Sequence, residues 1–217
     1  MLDVHPPHEK MHGVKDFLLH LLTITIGLLI ALGLEGCVEH WKQRELEKDA
    51  DTKVRQEIRD NAKEMATAHI ANAAEQANLV RMIDFMSARK KNKPYDTHQI
   101  RLDFALGDLQ SASWKTAAAT GALGFMDYDQ VQRYAAVYQL QDKYSALQDQ
   151  TIDEFLQLQS YVIHGFDPKN GFDPEKITPA EAGSAELDAR RTLVRLTAMD
   201  QVGTALAKEY DAVLTSN

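Results

Sequence analysis

The chain has 217 residues, a formal net charge of −8 and a single cysteine, Cys37. It has no sustained basic face for nucleic acid, and one cysteine excludes an intrachain disulfide. Alanine, glutamine, leucine and glutamate outweigh the eleven glycines and six prolines, which favours helix over sheet in one domain, or one domain plus a membrane anchor.

Residues 1–15 form a histidine-containing tail in which His8-Glu9-Lys10-Met11-His12 fits the H-E-x-x-H pattern of zinc proteases. Such an enzyme also needs a third ligand, a dry cleft and a substrate groove. A short tail has no core to supply them, Glu35 lies beyond the apolar run, and Pro6 and Pro7 disfavour the helix that would align His5. The motif reads as a chance match. His5, His8 and His12 are the candidate metal-binding set, and no cofactor is expected.

Residues 16–41 read as a transmembrane helix with its interfacial anchor. Phe17 to Leu34 carries eighteen residues without a formal charge, and at 1.5 Å per residue spans roughly 27 Å, enough for a hydrocarbon core once its flanks are added. Asp16 bounds one end; Glu35, Glu39 and His40 bound the other, with Trp41 suited to the headgroup belt. His20, Thr23, Gly27, Ala31 and Glu35 recur at steps of three and four and share one face. Gly27 and Ala31 let a second backbone approach, and Thr23 has a hydroxyl to bond across or within its helix. His20 reads as a neutral packing histidine, or as part of an ion path between associated helices. Leu34-Glu35-Gly36-Cys37 also has the outline of a lipoprotein cleavage box, with Glu35 a poor fit to it. Lys42, Arg44, Lys48, Lys53 and Arg55 outnumber Lys10 and Lys15, but the positive-inside rule weakens before a long domain.

Residues 42–217 read as an extramembrane helical bundle. A first helix runs from Trp41 to about Lys91, with a stripe of Leu46, Ala50, Val54, Ile58, Ala62, Met65, His69, Ala73, Ala77, Val80 and Ile83. His69 is a candidate ligand or, more simply, a satisfied core or edge histidine. Arg89 to Pro94 supplies cations and a proline to end this helix. Thr97 to Leu109 reads as a short helix, Ser113 as the cap of another over Trp114 to Thr120, and Gly121 as its left-handed stop.

Asp127 or Asp129 starts a long helix reaching His164. Its stripe is Val131, Tyr134, Tyr138, Leu140, Tyr144, Leu147, Thr151, Phe155, Leu158 and Val162. It is expected to run roughly 57 Å antiparallel to the first. The doubled Gly-Phe-Asp-Pro at 165–168 and 171–174 fails the calcium-loop pattern, because Lys169 and Gly171 fill ligand positions. It reads as turn chemistry, with Phe166 and Phe172 tucked onto the bundle. Thr178, Pro179 and Glu181 start a last helix with Leu193, Leu196, Met199, Gly203, Leu206, Tyr210 and Val213 inward. No strand-type alternation stands out. The expected fold is all-α: one N-terminal transmembrane helix continuing into an antiparallel bundle of long helices.

Ile24 to Asp49, with Gly27 to Leu32 followed by Trp41, Lys42 and Arg44, resembles a family of bacterial single-pass membrane proteins known only as a domain of unknown function. Those proteins pair an Ile-Gly-x-Leu-Ile-Ala-Leu helix with a tryptophan, a basic residue and a long charged helix. Trp114 to Tyr138 is similar to a second segment of that family through Thr120, Gly121, Leu123, Tyr134 and Tyr138. The family's tail is basic where this one is histidine-rich. The resemblance implies a bacterial inner-membrane protein with a cytoplasmic N-terminus and an exported, periplasmic bundle. It implies no activity.

The residues show no credible nucleophilic triad, paired buried carboxylates or cysteine–histidine set. The leading expectation is therefore a non-catalytic scaffold or accessory subunit. It would sit in membrane lipid, form a homo-oligomer and dock a membrane-protein partner. The alternative is a sensor-like bundle that binds a ligand and signals through the membrane helix. An enzyme ranks third, and a haem site on His20 or His40 fourth.

Overall fold

The computed structural model describes residues 13–95, 107–167, 171–173 and 176–215. They form four helices, α1 (Val14–Lys90), α2 (Ala112–Ala119), α3 (Tyr128–Gly165) and α4 (Pro179–Thr215), and a short 3₁₀ turn, Ala122–Phe125. The only strands among the described residues are β1 (Phe166–Asp167) and β2 (Gly171–Phe172), paired antiparallel with Phe166 opposite Phe172. The doubled Gly-Phe-Asp-Pro is thus a minimal hairpin. The side chains of Phe166 and Phe172 lie outside the described residues.

The chain divides into two compact units, Met1–Asp49 and Ala50–Asn217. In the first, α1 carries an eighteen-residue window long and apolar enough to cross a membrane, none of it buried. The second is a bundle of the remainder of α1 with α3 and α4. Its core holds Val54, Ile58, Leu79 and Met82 of α1, Tyr134, Val137 and Leu158 of α3, and Leu196, Met199 and Leu206 of α4. Fully burying a side chain of this size contributes about 1.5–3 kcal/mol.

The helix ends follow local chemistry. Asp127, not Asp129, caps α3, its Oδ1 accepting from the N–H groups of Asp129 and Gln130 at 3.0 and 3.3 Å. Thr178 and Glu181 form a reciprocal capping box at α4: Glu181 N–H donates to Thr178 Oγ1 at 3.2 Å, and Thr178 N–H to Glu181 Oε2 at 2.8 Å. Gly121 takes φ +75° just after α2, the left-handed stop expected of it. Ser113 does not cap α2. It lies inside the helix, and a carboxylate from α1, Glu57, takes the cap's place: Oε2 accepts from Ser113 N–H at 2.7 Å and Oε1 from Trp114 N–H at 3.3 Å.

One expected pairing is reversed. Asp51, Glu57 and Asn61 of α1 meet Tyr134, Tyr138 and Gln141 of α3 in rising order, so α1 and α3 run parallel. Helix α4 is antiparallel to both: Arg55 and His69 meet Val213 and Asp200, while Gln141 and Tyr161 meet Tyr210 and Asp188. The connection after α1 makes the parallel pair. It returns along the bundle, with the Tyr95 hydroxyl on the Arg81 carbonyl, Gln110 on Asn61, and Ser113 on Glu57. A short loop would have forced the antiparallel pairing; this long crossover carries the chain back to the start before α3 begins. Gly107 to Gln110 is non-helical, which corrects the end of the short helix expected over Thr97 to Leu109. The rest of that segment lies outside the described residues.

Two carboxamides hold the crossover. Asn61 Nδ2 donates to the Gln110 carbonyl at 2.7 Å and Gln110 N–H donates to Asn61 Oδ1 at 2.8 Å. Gln148 treats Gly107 in the same way, accepting from its N–H at 3.1 Å and donating to its carbonyl at 3.2 Å. Each amide acts as one residue of a neighbouring strand would, satisfying both backbone groups at once.

The buried stripe of α1 also departs from the expected one. Ala50, Val54, Ile58, Met65 and Ile83 are buried, but Leu46, His69, Ala73, Ala77 and Val80 are exposed. Beyond Met65 the inward positions are Ala68, Asn72, Glu75, Asn78, Leu79, Met82, Ile83, Phe85 and Met86. Three polar inward residues, Asn72, Glu75 and Asn78, hide this stripe from an apolar pattern.

Candidate functional site

Two features carry candidate chemistry, one in each unit. In the first unit α1 presents His20, Thr23, Gly27, Ala31 and Glu35 on an exposed face. Thr23 bonds its own helix, its Oγ1 donating to the Leu19 carbonyl at 2.9 Å. Thr25 does the same to Leu21 at 2.8 Å, so neither hydroxyl costs the apolar segment an unpaired donor. A Cβ on Gly27 would meet nothing within 4 Å. Trp41 is 65% exposed and Cys37 is exposed. His5, His8 and His12 lie outside the described residues. Among the described residues no group of three histidine, cysteine or carboxylate side chains is placed to hold a metal ion.

In the second unit a polar layer joins the helices. Glu57, 8% exposed, accepts from the Tyr138 hydroxyl at 2.6 Å as well as from α2. Burial first, then this bond to a carboxylate, pushes the Tyr138 hydroxyl far above its ordinary pKa. Trp114 stacks on the same tyrosine, ring centroids 5.2 Å apart and planes at 8°. Tyr134 donates to Asp51 and is pushed from 10.0 to about 12, again chiefly by burial. Tyr210 donates to Gln141 Oε1 at 2.8 Å, and Gln141 Nε2 donates to the Gln110 carbonyl at 2.9 Å. These groups are engaged in holding the fold.

A different arrangement lies between α1 and α4, where a cavity of about 340 Å³ opens. Ala62, Ala66 and Ala207 give it apolar walls, and Met65, Asn72, Tyr144 and Gly203 also line it. Asn72 and Tyr144 are 2% and 1% exposed. Asn72 Nδ2 and Tyr144 Oη have no hydrogen-bond partner among the described residues. Burial raises the Tyr144 pKa, and the adjacent Asn72 side chain, close enough to act on the hydroxyl, opposes that rise.

Gly203 makes room for this layout. A Cβ there would stand 3.0 Å from the Met65 methyl and 3.1 Å from the Tyr144 ring. Over the cavity, His69 Nδ1 is 2.7 Å from Asp200 Oδ1. His69 is therefore a bonded edge residue, as its simpler reading held. Reading the sequence found Tyr144 and Gly203 only as core and missed Asn72 and Asp200. The available signal was Asn72, Glu75 and Asn78 at steps of three in an alanine-rich stretch.

No protein family, curated protein or solved structure gives a match to this chain.

Proposed function

We propose that this chain is a single-pass membrane protein whose membrane helix self-associates and whose bundle serves as a non-catalytic scaffold or accessory subunit. The observation that carries this reading is the wholly unburied apolar window of α1, in the same helix whose later turns build the bundle core. In water such a surface would drive aggregation; in lipid it is the expected exterior. The face of His20, Thr23, Gly27, Ala31 and Glu35 suits close helix contact, because Gly27 and Ala31 bring little bulk between backbones. The resemblance to single-pass bacterial membrane proteins supports an inner-membrane location with the bundle in the periplasm. The non-catalytic part is supported by Glu57, Tyr138, Gln141 and Tyr210, whose polar atoms are engaged in structural hydrogen bonds. Gly27→Leu with Ala31→Leu tests the reading: the oligomer should fall to smaller species in lipid nanodiscs, and an unchanged size contradicts it.

The cavity favours a second reading, a bundle that binds a small molecule and passes a shift along α1. The cavity itself is its specific support, because its volume of about 340 Å³ falls within the range of small-molecule pockets.

A further inference from the structure

We infer that the cavity between α1 and α4 binds a linear aliphatic diamine, its carbon chain along the cavity and one ammonium group at each end, on Asp200 and on Asp211. The inference rests on the ligand-binding reading and names the ligand class; it does not require signalling along α1.

The layout of α4 sets the shape of the ligand. Asp200, Gly203, Thr204, Ala207 and Asp211 line the cavity at steps of three and four, so they follow one another along a single face of the helix. At 1.5 Å per residue the two aspartates stand roughly 16 Å apart along its axis. Between them the walls are apolar, with Gly203 and Ala207 of α4 facing Ala62, Met65 and Ala66 of α1, and such walls reward burial of methylene groups. A volume of about 340 Å³ over that length makes a narrow trough, suited to an extended chain.

Charge sets the end groups. His69 engages Oδ1 of Asp200, which leaves Oδ2 to accept from a second donor. The Asp211 carboxylate is exposed and makes no hydrogen bond or ion pair among the described residues. The arginines on the facing stretch of α1 are engaged, Arg55 with the Val213 carbonyl and Asp51, and Arg59 with Gln56. With an ammonium–carboxylate contact of roughly 3 Å at each end, the two nitrogens must stand roughly 10 Å or more apart. A ten-carbon diamine reaches that span and a four-carbon one does not. A dicarboxylate of the same length would meet like charge at both ends.

Decane-1,10-diamine is the probe, with butane-1,4-diamine to test length, 10-aminodecan-1-ol to test the second charge and decanedioate to test its sign. The readout is the Met65 methyl signal of full-length, methyl-labelled protein in nanodiscs of deuterated zwitterionic lipid, followed by its shift and by its nuclear Overhauser contact with the chain methylenes. The ten-carbon diamine should shift the signal saturably and show that contact. It should bind about fivefold more tightly than the amino alcohol, and decanedioate should not bind. Asp211→Asn, at an exposed position, should weaken the diamine about fivefold and bring it level with the amino alcohol. Asp200→Asn should weaken it as well, and Asp211→Asn decides alone if loss of the His69 contact loosens the helices. Three results overturn the inference: no saturable Met65 shift with the ten-carbon diamine, equal binding of the amino alcohol, the four-carbon diamine or decanedioate, or undiminished binding by Asp211→Asn. A label on Cys37, the sole cysteine, separates the two levels. Saturable Met65 shifts with an unchanged Cys37 label uphold the site and contradict the sensor reading alone.

Discussion

Asn61 and Gln110 meet through two hydrogen bonds, side-chain amide to backbone carbonyl at 2.7 Å and backbone N–H to side-chain oxygen at 2.8 Å. This pair fixes the crossover against α1, and through Gln141 it ties in α3 as well. Together with the bonds of Tyr134 to Asp51 and of Tyr138 to Glu57, it holds α1 and α3 parallel.

Asn61→Leu should therefore destabilise the bundle by about 1–3 kcal/mol, because it strands the Gln110 N–H in a part-buried site and leaves the Gln110 carbonyl only its bond from Gln141. Near-UV circular dichroism of the full chain on heating checks this, with the stacked Trp114–Tyr138 pair as reporter. A melting temperature equal to wild type would mean the crossover is held elsewhere.

The second carboxamide, Gln148, and the carboxylate Glu57 make a related case. Glu57→Gln keeps the shape but turns one acceptor into a donor facing N–H groups of α2. The expected loss is about 1–3 kcal/mol, read in the same melt. Glu57→Gln should also weaken the Trp114 signal, since α2 loses its cap.

Gly203→Ala tests the cavity from the other side. Alanine gains about 1 kcal/mol of helix propensity, and overpacking costs about 1–3 kcal/mol. The Met65 methyl is able to swing away, but the Tyr144 ring is locked in the core. A net loss of about 1 kcal/mol is expected, whereas Tyr144→Phe, which deletes an unpartnered hydroxyl, should hold or raise stability. Parallel thermal melts of the two variants suffice, and the opposite order would contradict the packing described.

The tyrosines give an alkaline prediction. Tyr134, Tyr138, Tyr144, Tyr161 and Tyr210 are all raised above the ordinary value, each with burial as the largest cause. A raised tyrosine favours the neutral form in the fold. Its stabilisation is complete below the unfolded pKa of 10.0 and is lost as pH climbs through the folded one, about 12 for Tyr134. Absorbance at the tyrosinate band should thus rise partly near pH 10, and the remainder only with alkaline unfolding. Uniform titration near pH 10 with the fold intact would contradict the burial.

At the acid end the sign reverses. Backbone and side-chain bonds from Thr178 hold the Glu181 carboxyl below the usual range, and Glu186 is lowered chiefly by Arg190. Their stabilisation is present above the ordinary carboxylate pKa and fades as pH falls through the folded values. Thr178→Ala should shift acid unfolding of α4 to higher pH, measured by far-UV circular dichroism between pH 5 and pH 2.

What was legible in the sequence was local. The helix starts at Asp127 and Thr178, the stop at Gly121, and the inward face of α4 follow from short-range chemistry and apolar spacing. The direction of α3 was not legible, because it depends on carboxamides reaching a crossover far away in the chain. Nor was the inward face of α1 beyond Met65, where Asn72 and Glu75 occupy positions that an apolar pattern assigns outward. The cavity depends on both: it forms only when the true face of α1 meets Gly203 of α4.

The central claim is self-association through the membrane helix, and native mass spectrometry of the full chain released from lipid nanodiscs tests it most directly. Wild type should appear as several identical copies, and Gly27→Leu with Ala31→Leu as monomer. A wild-type monomer, or a double variant of unchanged copy number, would contradict the account.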